Sequence, residues 1–378
     1  MTKIQEREIA IMFSRTCNIT CRHCGIESSP HNKSRMRLID AKQYVLEASG
    51  VPGIRKITFT GGEPLLFQRE HLELVQLASD AGLSTRIVTN GFWAKNKRRG
   101  LDLLSRLKDA GLRELNFSAD KFHLEHMPAR TLRNALECAA ELGFTRIISF
   151  VTNEDRPYLD AFAEMYGLPR EQLADLRPLL ESIGCTEDLD HLKDDWIFVF
   201  AGGLIGLGRA ADNPHELRHF PVGFFPESSP CSEVVNKPVI YPDGDFQACC
   251  CAGGKVGTFT VGNLHEESLV DLHAKMVQRS QFRFINSHGP VELYKSIARA
   301  RPDLPLQGRY TSICELCVRA TEGLSATEVD RIVDAALVAK TVGALGRLDL
   351  ERPLPESVLD APPRERPLRA AALRVLNG

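Results

Sequence analysis

From residue 7 to residue 152 the chain alternates between β-rich runs and helical stretches, and this alternation limits the fold more than any other feature. The helical stretches are centred on residues 38–48, 68–80, 98–109 and 130–142. Strand–helix alternation of this kind predicts right-handed βαβ units and a parallel sheet. The predicted strands are Glu8–Phe13, Lys56–Phe59, Thr85–Val88, Glu114–Phe117, Arg146–Val151 and, after an acidic connection, Trp196–Ala201.

Small and polar residues follow five of these strands at the point where each one ends. In a parallel α/β sheet or barrel the carboxyl ends of the strands carry the functional groups. One rim of the sheet is therefore expected to be lined for chemistry, although turns alone also favour Gly, Asn and Ser. The residues concerned are Cys17, Gly61–Pro64, Thr89–Gly91, Ser118 with Asp120, and Thr152–Asn153.

The composition excludes several classes of protein. The net charge of the 378 residues is −2, so overall charge does not favour binding to nucleic acid or to an anionic membrane. The chain contains no apolar run long enough to span a bilayer and no signal peptide, so a cytoplasmic location is expected.

A reducing compartment keeps thiols free, and grouped thiols there indicate metal sites. Cys138 and Cys185 stand alone and are expected to be ordinary small apolar residues.

The first cysteine group has the spacing Cys17-x3-Cys21-x2-Cys24. Three thiolates within eight residues can bind one face of a four-iron cluster and leave the fourth iron open for a small molecule. A zinc knuckle is the alternative, but zinc sites usually have four protein ligands. His23 is the one nearby side chain to offer, and it lies inside the same turn.

The cysteine loop, followed one βα unit later by Gly61-Gly62-Glu63-Pro64, resembles the radical S-adenosylmethionine (SAM) superfamily. The resemblance implies a partial (β/α)6 TIM-like barrel, a [4Fe–4S] cluster on the three cysteines, and SAM bound to the open iron. The backbone of the glycine motif would hold the amino group of SAM, with the Glu63 carboxylate beside that ammonium. His23 departs from the family, which most often has an aromatic residue there. The residues assigned to SAM by this resemblance are Gly61, Gly62, Glu63, Pro64, Thr89, Asn90, Ser118 and Asp120.

The chemistry implied by the resemblance is reductive cleavage of SAM to methionine and a 5′-deoxyadenosyl radical, which takes a hydrogen atom from the substrate. Two residues are candidates for a catalytic role near that substrate. His123 lies just past the fourth strand, where an ordinary hydrogen-bonded loop histidine is the alternative. Arg209, in Gly208-Arg209-Ala210, follows the sixth strand, where a surface salt bridge is the alternative.

A second cysteine group lies in the C-terminal half. Cys231 and Cys249 flank a predicted β-hairpin with its tight turn at Tyr241–Asp245, and Cys314-x2-Cys317 offers two further thiols. Four such thiolates would complete a closed metal site. Cys250 and Cys251 leave the register open, because either could replace Cys249.

The Cys231-x12-Gly244-x4-Cys249 pattern resembles the auxiliary-cluster domain called SPASM, or its shorter form, twitch. The resemblance implies a second, auxiliary [4Fe–4S] cluster, with zinc as the alternative. The expected organisation is a partial barrel over 1–213, a small irregular α+β auxiliary-cluster domain over 214–324, a helix over 325–349, and a mobile Pro/Arg-rich tail over 350–378.

Enzymes with such a domain mostly modify peptides or proteins, which implies a peptide maturase that makes a crosslink, an oxidation or an epimer. The alternatives are a small-molecule dehydrogenase or epimerase and a non-enzymatic zinc or iron–sulfur protein. A flavodoxin- or ferredoxin-type electron donor is implied. The chain begins almost at its first strand, so no fused leader-binding domain is expected and a separate protein would recognise a leader peptide.

Overall fold

A single long sheet runs through most of the computed structural model, which describes residues 7–152, 156–176, 196–227, 229–249 and 254–345. In chain order its strands and those of a small second sheet are β1 Arg7–Ser14, β2 Ile54–Gly61, β3 Ser84–Thr89, β4 Glu114–Ser118, β5 Thr145–Val151, β6 Leu173–Asp175, β7 Ile197–Gly202, β8 Phe220–Pro221, β9 Val239–Ile240, β10 Asp245–Gln247, β11 Thr260–Asn263 and β12 Arg309–Tyr310.

Among the described residues the long sheet has ten strands in the order β11-β10-β9-β1-β2-β3-β4-β5-β7-β6. All neighbours from β9 through β1 to β6 are parallel, and β10 and β11 pair antiparallel at the other edge. Strands β8 and β12 form the small antiparallel sheet. The expected α/β architecture, a parallel sheet followed by a mixed α+β region, is confirmed.

The helices of the first half lie where the sequence predicts them, each connecting two parallel strands. The predicted stretch 68–80, for example, coincides with the second helix. Within the described residues the helices are α1 Leu38–Gly50, α2 Gln68–Asp80, α3 Lys97–Asp109, α4 Lys121–Leu124, α5 Ala129–Glu141, α6 Tyr158–Tyr166, α7 Leu269–Gln278, α8 Ser280–His288, α9 Pro290–Ala300, α10 Ile313–Ala320 and α11 Ala326–Leu345.

Local sequence explains where several helices begin. Asn96 precedes α3 and its side chain accepts a hydrogen bond from the backbone N–H of Arg99, while Asp120, Ser268 and Ser312 cap α4, α7 and α10 in the same way. Such caps satisfy backbone donors that the helix itself leaves without partners. The polar residues at these strand–helix junctions therefore set the entry of each helix.

The amino ends of the first four strands are closed by a layer of buried charges. Arg86 on β3 donates to Glu8 on β1 at 3.0 Å and also pairs with Glu114 on β4. Lys56 on β2 donates to the same Glu114 at 3.1 Å. Each charge is paired, as a buried charge must be to avoid a large desolvation cost. This end of the sheet is filled, which leaves the carboxyl ends of the strands to form a cavity.

Two features differ from the sequence-based expectation. The edge strand β6 is three residues long and pairs with β7, which is the sixth predicted strand. In the sheet β6 lies beyond β7, although β6 comes before β7 in the chain. The region after residue 214 is also more helical than expected, because α7, α8 and α9 bury apolar stripes that include Leu272, Phe284 and Ile297. These helices are short and closely spaced, which hides their periodicity.

Residues 1–333 form one compact unit and residues 334–378 another, whose described part is helical as far as Leu345. The domain boundaries expected from the sequence stay predictions. Strands β9 to β11 of the second predicted domain continue the sheet of the first. The isolated Cys185, the alternative ligands Cys250 and Cys251, and the tail over 350–378 lie outside the described residues. No described helix combines the length and the apolar character needed to cross a membrane.

Candidate metal and cofactor site

The three cysteines of the first group lie on the loop that leaves β1 and line one cavity of about 250 Å³. Cys17 and Cys21 are buried, and Cys24 is half-buried. Burial raises the pKa of the Cys17 thiol to about 12. A bound metal reverses this tendency, because the charge of the ion deprotonates a coordinating thiol. The loop therefore presents three thiols to one enclosed space.

Two glycines at the end of β2 form the cavity wall beside this loop. Gly61 has φ +129°, and a Cβ atom there would lie 2.3 Å from the carbonyl oxygen of Ser14. A Cβ atom on Gly62 would lie 2.0 Å from the carbonyl oxygen of Thr16. The Gly62 N–H donates to the Ser14 carbonyl at 2.8 Å. Only glycine lets the ends of β1 and β2 approach this closely.

The carboxylate of Glu63 is buried and holds several hydrogen bonds. Its side chain is 1% exposed and accepts hydrogen bonds from the N–H of Leu65 at 3.0 Å and of Asn90 at 2.8 Å, and from the Thr89 hydroxyl at 2.9 Å. Burial raises the pKa of Glu63 to about 7, against the effect of these donors. The carboxylate thus ties the glycine motif to the end of β3, and its place beside the ammonium of SAM stays a prediction. Pro64, also buried, begins a short 3-10 helix away from the cavity wall.

The end of β3 brings Thr89 and Asn90 to the cavity. The Asn90 amide donates to Asn18 Oδ1 at 2.9 Å and lies 3.8 Å from Cys17 Sγ. Its own oxygen accepts from the N–H of Phe92 at 3.0 Å, which fixes the orientation of the amide. Asn90 therefore connects the end of β3 to the cysteine loop.

The end of β4 carries a buried carboxylate between two imidazoles. Asp120 is 1% exposed, and its two oxygens lie 2.9 Å from His123 Nδ1 and 3.2 Å from His23 Nε2. Burial alone would raise the pKa of Asp120, but His123 and His23 outweigh it and hold the pKa well below its ordinary value. The same pairing overcomes the effect of burial on His123 and raises its pKa to about 10. Ser118, also expected at the SAM site, lines the cavity beside them.

The ring of His23 packs against an aromatic side chain in the cavity wall. Its ring stacks on Phe122 with centroids 4.6 Å apart and an interplanar angle of 22°. The same ring bonds to Asp120 across the cavity wall. A flat polar ring at this position therefore joins the cysteine loop to the end of β4.

The two candidate catalytic residues are both held by the protein. His123 is 9% exposed and bonded to Asp120, so it lies in the cavity wall as a charged, fixed group. Arg209 donates through Nε to the Cys21 carbonyl at 3.0 Å and through Nη2 to the Ser28 carbonyl at 2.6 Å. Arg209 therefore holds the cysteine loop through two backbone carbonyls and also lines the cavity, and its catalytic role stays a prediction.

The second cysteine group also surrounds one cavity, of about 190 Å³. Its remaining lining is mostly apolar and includes Val234, Phe259 and Ile285. Burial, followed by the neighbouring thiols of Cys231 and Cys314, raises the pKa of Cys317 well above its ordinary value. The structure thus gathers side chains separated by more than 80 residues. The cysteines that line this cavity are Cys231, Cys249, Cys314 and Cys317.

One group of three metal-ligating side chains is closely spaced among the described residues. Among the described residues, the metal-ligating groups that lie in threes within 4.8 Å of one another are His23, Asp120 and His123, and no three cysteine sulfurs do so. A tetrahedral zinc ion with Zn–S bonds near 2.3 Å needs sulfurs about 3.8 Å apart. Among the described residues, neither cysteine group brings three sulfurs within that spacing.

Sequence reasoning did not identify Ser149 and Asn18, two polar residues that contribute to this region. Ser149, on β5, lines the first cavity and donates to Asn116 at 3.0 Å. Asn18, inside the cysteine loop, is the partner of Asn90. The signal for Ser149 was present, because a lone serine in the apolar run Arg146–Val151 marks an inward-facing position near the carboxyl end of a strand. No local pattern marks Asn18.

Similarity to known proteins bears on the first half of the chain above all. The model of the Radical SAM superfamily matches residues 11–183. The putative peptide biosynthesis protein YydG of Bacillus subtilis (strain 168) is 27% identical over 131 residues. That match covers 35% of this chain and 41% of YydG, so the aligned part spans less than half of that relative.

Longer but weaker matches extend beyond the first half. A GTP 3′,8-cyclase of Alkaliphilus metalliredigens (strain QYMF) is 23% identical over 304 residues, which covers 74% of this chain and 92% of the cyclase. Among solved structures, BtrN in complex with AdoMet and 2-DOIA has a TM-score of 0.42 and 18% identity, and the match covers 76% of this chain and 89% of BtrN.

Proposed function

We propose that the chain, whose residues 11–183 match the model of the Radical SAM superfamily, is a radical SAM enzyme that modifies a peptide or protein side chain. The observation that carries the enzyme assignment is the first cavity. There, a three-cysteine loop, a glycine motif and the polar ends of β3 and β4 meet in one enclosed space. The peptide assignment is supported by the similarity to the peptide biosynthesis protein YydG.

In this proposal Cys17, Cys21 and Cys24 hold a [4Fe–4S] cluster. When bound, the cluster and SAM supply a 5′-deoxyadenosyl radical that takes a hydrogen atom from the substrate. The backbone of Gly61 and Gly62 receives the methionine end of SAM. The remaining contacts to SAM come from polar residues of the cavity wall, namely Thr89, Asn90, Ser118 and Asp120.

The chain's own contribution is a fixed, charged environment. Asp120 remains a carboxylate because two imidazoles flank it, and its charge complements a cationic group in the cavity. Glu63 holds the ends of β2 and β3 together, so the glycine backbone and Asn90 keep their relative positions. Such pre-organisation avoids reorganisation during the reaction.

The second group, Cys231, Cys249, Cys314 and Cys317, is proposed to hold an auxiliary [4Fe–4S] cluster of the SPASM or twitch type. When bound there, that cluster supplies an acceptor for one electron, which suits a net oxidation or a crosslink. The proposed partial-barrel domain is 1–213 and the proposed auxiliary domain 214–324. We further propose a flavodoxin- or ferredoxin-type donor and a separate leader-binding protein as partners.

A small-molecule substrate is the second candidate. It is supported by the match to a GTP 3′,8-cyclase, which covers 74% of this chain. The two candidates differ in a simple observable. A peptide substrate changes mass or chirality in the presence of SAM and reductant, whereas a nucleotide substrate is consumed without any peptide.

The decisive test begins with anaerobic reconstitution and counting of iron and sulfide. Two four-iron clusters predict about eight irons per chain. Incubation with SAM and dithionite should then release 5′-deoxyadenosine. A count of about four irons would contradict the auxiliary cluster, and absence of cleavage would contradict the enzyme assignment.

Variants separate the two cysteine groups. Changing Cys17, Cys21 and Cys24 to Ala should abolish SAM cleavage, while changing Cys314 and Cys317 to Ala should halve the iron and spare cleavage but stop substrate turnover. The matched control is Cys138→Ala, because Cys138 is fully buried in the core away from both lining sets. Full iron and full cleavage are expected for this control.

A further inference from the structure

The segment between β7 and residue 213 contacts the first cysteine loop and the residues that flank Cys314. At one of its ends, the Arg209 side chain and backbone bind the first loop: Nε and Nη2 donate to the carbonyls of Cys21 and Ser28, and the Arg209 N–H donates to the Cys24 carbonyl at 3.2 Å. Three carbonyls of one short loop are thereby held by a single residue.

The glycine before Arg209 brings the segment into contact with that loop. Gly208 has φ +56°, and a Cβ atom there would lie 2.4 Å from the carbonyl oxygen of Gly25 and 2.8 Å from that of Cys24. A side chain at this position would push the segment off the loop. The segment is thus packed backbone to backbone against the first cysteine group.

Three residues earlier, the segment binds the structure that carries the second group. The Gly206 N–H donates to Thr311 Oγ1 at 2.7 Å, and Thr311 Oγ1 donates to Glu315 Oε2 at 2.7 Å. The same carboxylate oxygen accepts from the Thr311 N–H at 2.6 Å. Glu315 stands on α10 between Cys314 and Cys317. Thr311 and Glu315 are each 5% exposed.

Gly206 also has a steric reason to be glycine. A Cβ atom there would lie 2.8 Å from Glu315 Oε1. Hydrogen bonds to a buried carboxylate are stronger than those between neutral groups, and a buried carboxylate that loses its donors destabilises the fold. The contact between the segment and α10 is therefore well defined on both sides.

We propose that Thr311 and Glu315 are positioning residues that fix the helix of Cys314 and Cys317 relative to the first cysteine loop. The connection runs from Glu315 through Thr311 to Gly206, along the chain to Arg209, and from Arg209 to the carbonyls of the cysteine loop. Ligand positions must be held to about 0.5 Å by their surroundings for a site to work. Because one segment contacts both regions, it fixes the position of one site relative to the other.

That the two linked groups are metal sites rests on the proposed function, but the link is measurable without any metal. The readout is amide hydrogen exchange in the full chain, before and after reconstitution. The informative amides are those of Cys24, Glu27 and Arg209. The Cys24 amide donates to the Cys21 carbonyl, and the Glu27 and Arg209 amides donate to the Cys24 carbonyl. Their exchange reports local opening of that loop.

Thr311→Val keeps the shape of the side chain and removes both hydroxyl hydrogen bonds. Exchange of the first-loop amides should rise about tenfold, which corresponds to the loss of a hydrogen bond to a charged group. Thr311→Ser keeps the hydroxyl and should restore wild-type exchange. The matched control is Thr258→Val, because the Thr258 hydroxyl donates to Thr321 at 2.8 Å in an equally buried position outside the connection. It should leave first-loop exchange within twofold of wild type.

The coupling itself is tested by a double-mutant cycle with Arg209→Gln. If one connection passes through both residues, the double variant should exchange no faster than the faster single variant. Additive effects, or faster exchange of α10 with unchanged first-loop amides in Thr311→Val, would overturn the proposal. If Thr311→Val does not fold, Glu315→Gln gives the same test with an expected rise of about threefold. Iron counting is independent of this result, so failure of the proposed function is seen separately.

Discussion

The two cysteine groups differ in how much of each is built by one stretch of chain. The first group spans eight residues of a single loop, and polar strand ends surround it with side chains that bind one another, such as Asn90 with Asn18 and Asp120 with His23. The second group is gathered from three separate segments, and its cavity walls are mostly apolar. The first site is thus fixed by hydrogen bonds next to the thiols, and the second by the packing of the whole region around them.

This difference predicts different sensitivities. A site made of one loop on a strand end should fail when the backbone approach beneath it is blocked, and it should tolerate change elsewhere. A site gathered from distant segments should fail when any element that holds one of its segments is loosened. Each of the following measurements can break or sharpen that contrast.

The largest effect is expected for Gly62→Ala. A Cβ atom at this position would lie 2.0 Å from a backbone carbonyl oxygen, which cannot move without separating β1 from β2. Overpacking alone costs about 1–3 kcal/mol, and a clash between two backbones should exceed that range. Thermal unfolding should show the loss, and iron bound by the first group should fall while the second group keeps its own. Full iron with unchanged unfolding would contradict the close approach.

Gln247→Ala is expected to impair the second cysteine group and to spare the first. The fully buried Gln247 donates to the Cys249 carbonyl at 2.9 Å and to that of Gly254 at 3.2 Å, and accepts from the Val256 N–H at 2.8 Å. Its loss leaves buried groups unsatisfied and should lower the free energy of unfolding by about 2–3 kcal/mol. Iron at the second group should fall, whereas SAM cleavage should persist.

The matched control for this change is Gln281→Ala. Gln281 is equally buried, and its side-chain oxygen accepts one hydrogen bond from Arg279. This control should destabilise the chain without lowering iron at the second group. Equal iron in the two variants would show that Gln247 acts through general stability alone.

The sequence predicted the first site more completely than the second, for the same physical reason. Strand ends and their polar residues follow from local periodicity, so the positions of Gly62 and Asn90 could be deduced. The inward turn of Glu63 could not, because it depends on donors 26 and 27 residues away. The link from Gly206 to Thr311 spans 105 residues and joins two loops that carry no pattern. Such contacts are set by the packed fold.

A pH dependence of stability is expected from His71, which lies in the core beneath the first site. Its side chain is fully buried between Phe13 and Phe59, and burial lowers its pKa to about 4. The unfolded chain binds a proton near pH 6.5 and the folded chain does not, so stability falls as the pH falls from about 6.5 to 4. Between pH 7 and pH 5 this histidine should account for a loss of about 2 kcal/mol.

Denaturant unfolding at the two pH values measures this effect. His71→Leu should remove about 2 kcal/mol of the pH dependence, whatever it does to stability at pH 7. The exposed His31 provides the control, since His31→Leu should leave the pH dependence as it is in wild type. An unchanged pH dependence in His71→Leu would show that the buried ring takes up a proton without cost.

The smallest effect is expected for Gly254→Ala, and it is the sharpest counterpart of Gly62→Ala. A Cβ atom on Gly254 would lie 3.5 Å from the carbonyl oxygen of Gly25, an ordinary van der Waals contact between the regions of the two cysteine groups. The free energy of unfolding should therefore change by less than about 0.5 kcal/mol, and both groups should keep their iron. A loss comparable to that of Gly62→Ala would mean that the second site also depends on a close backbone approach, and the contrast between a loop-built site and a packing-built site would not hold.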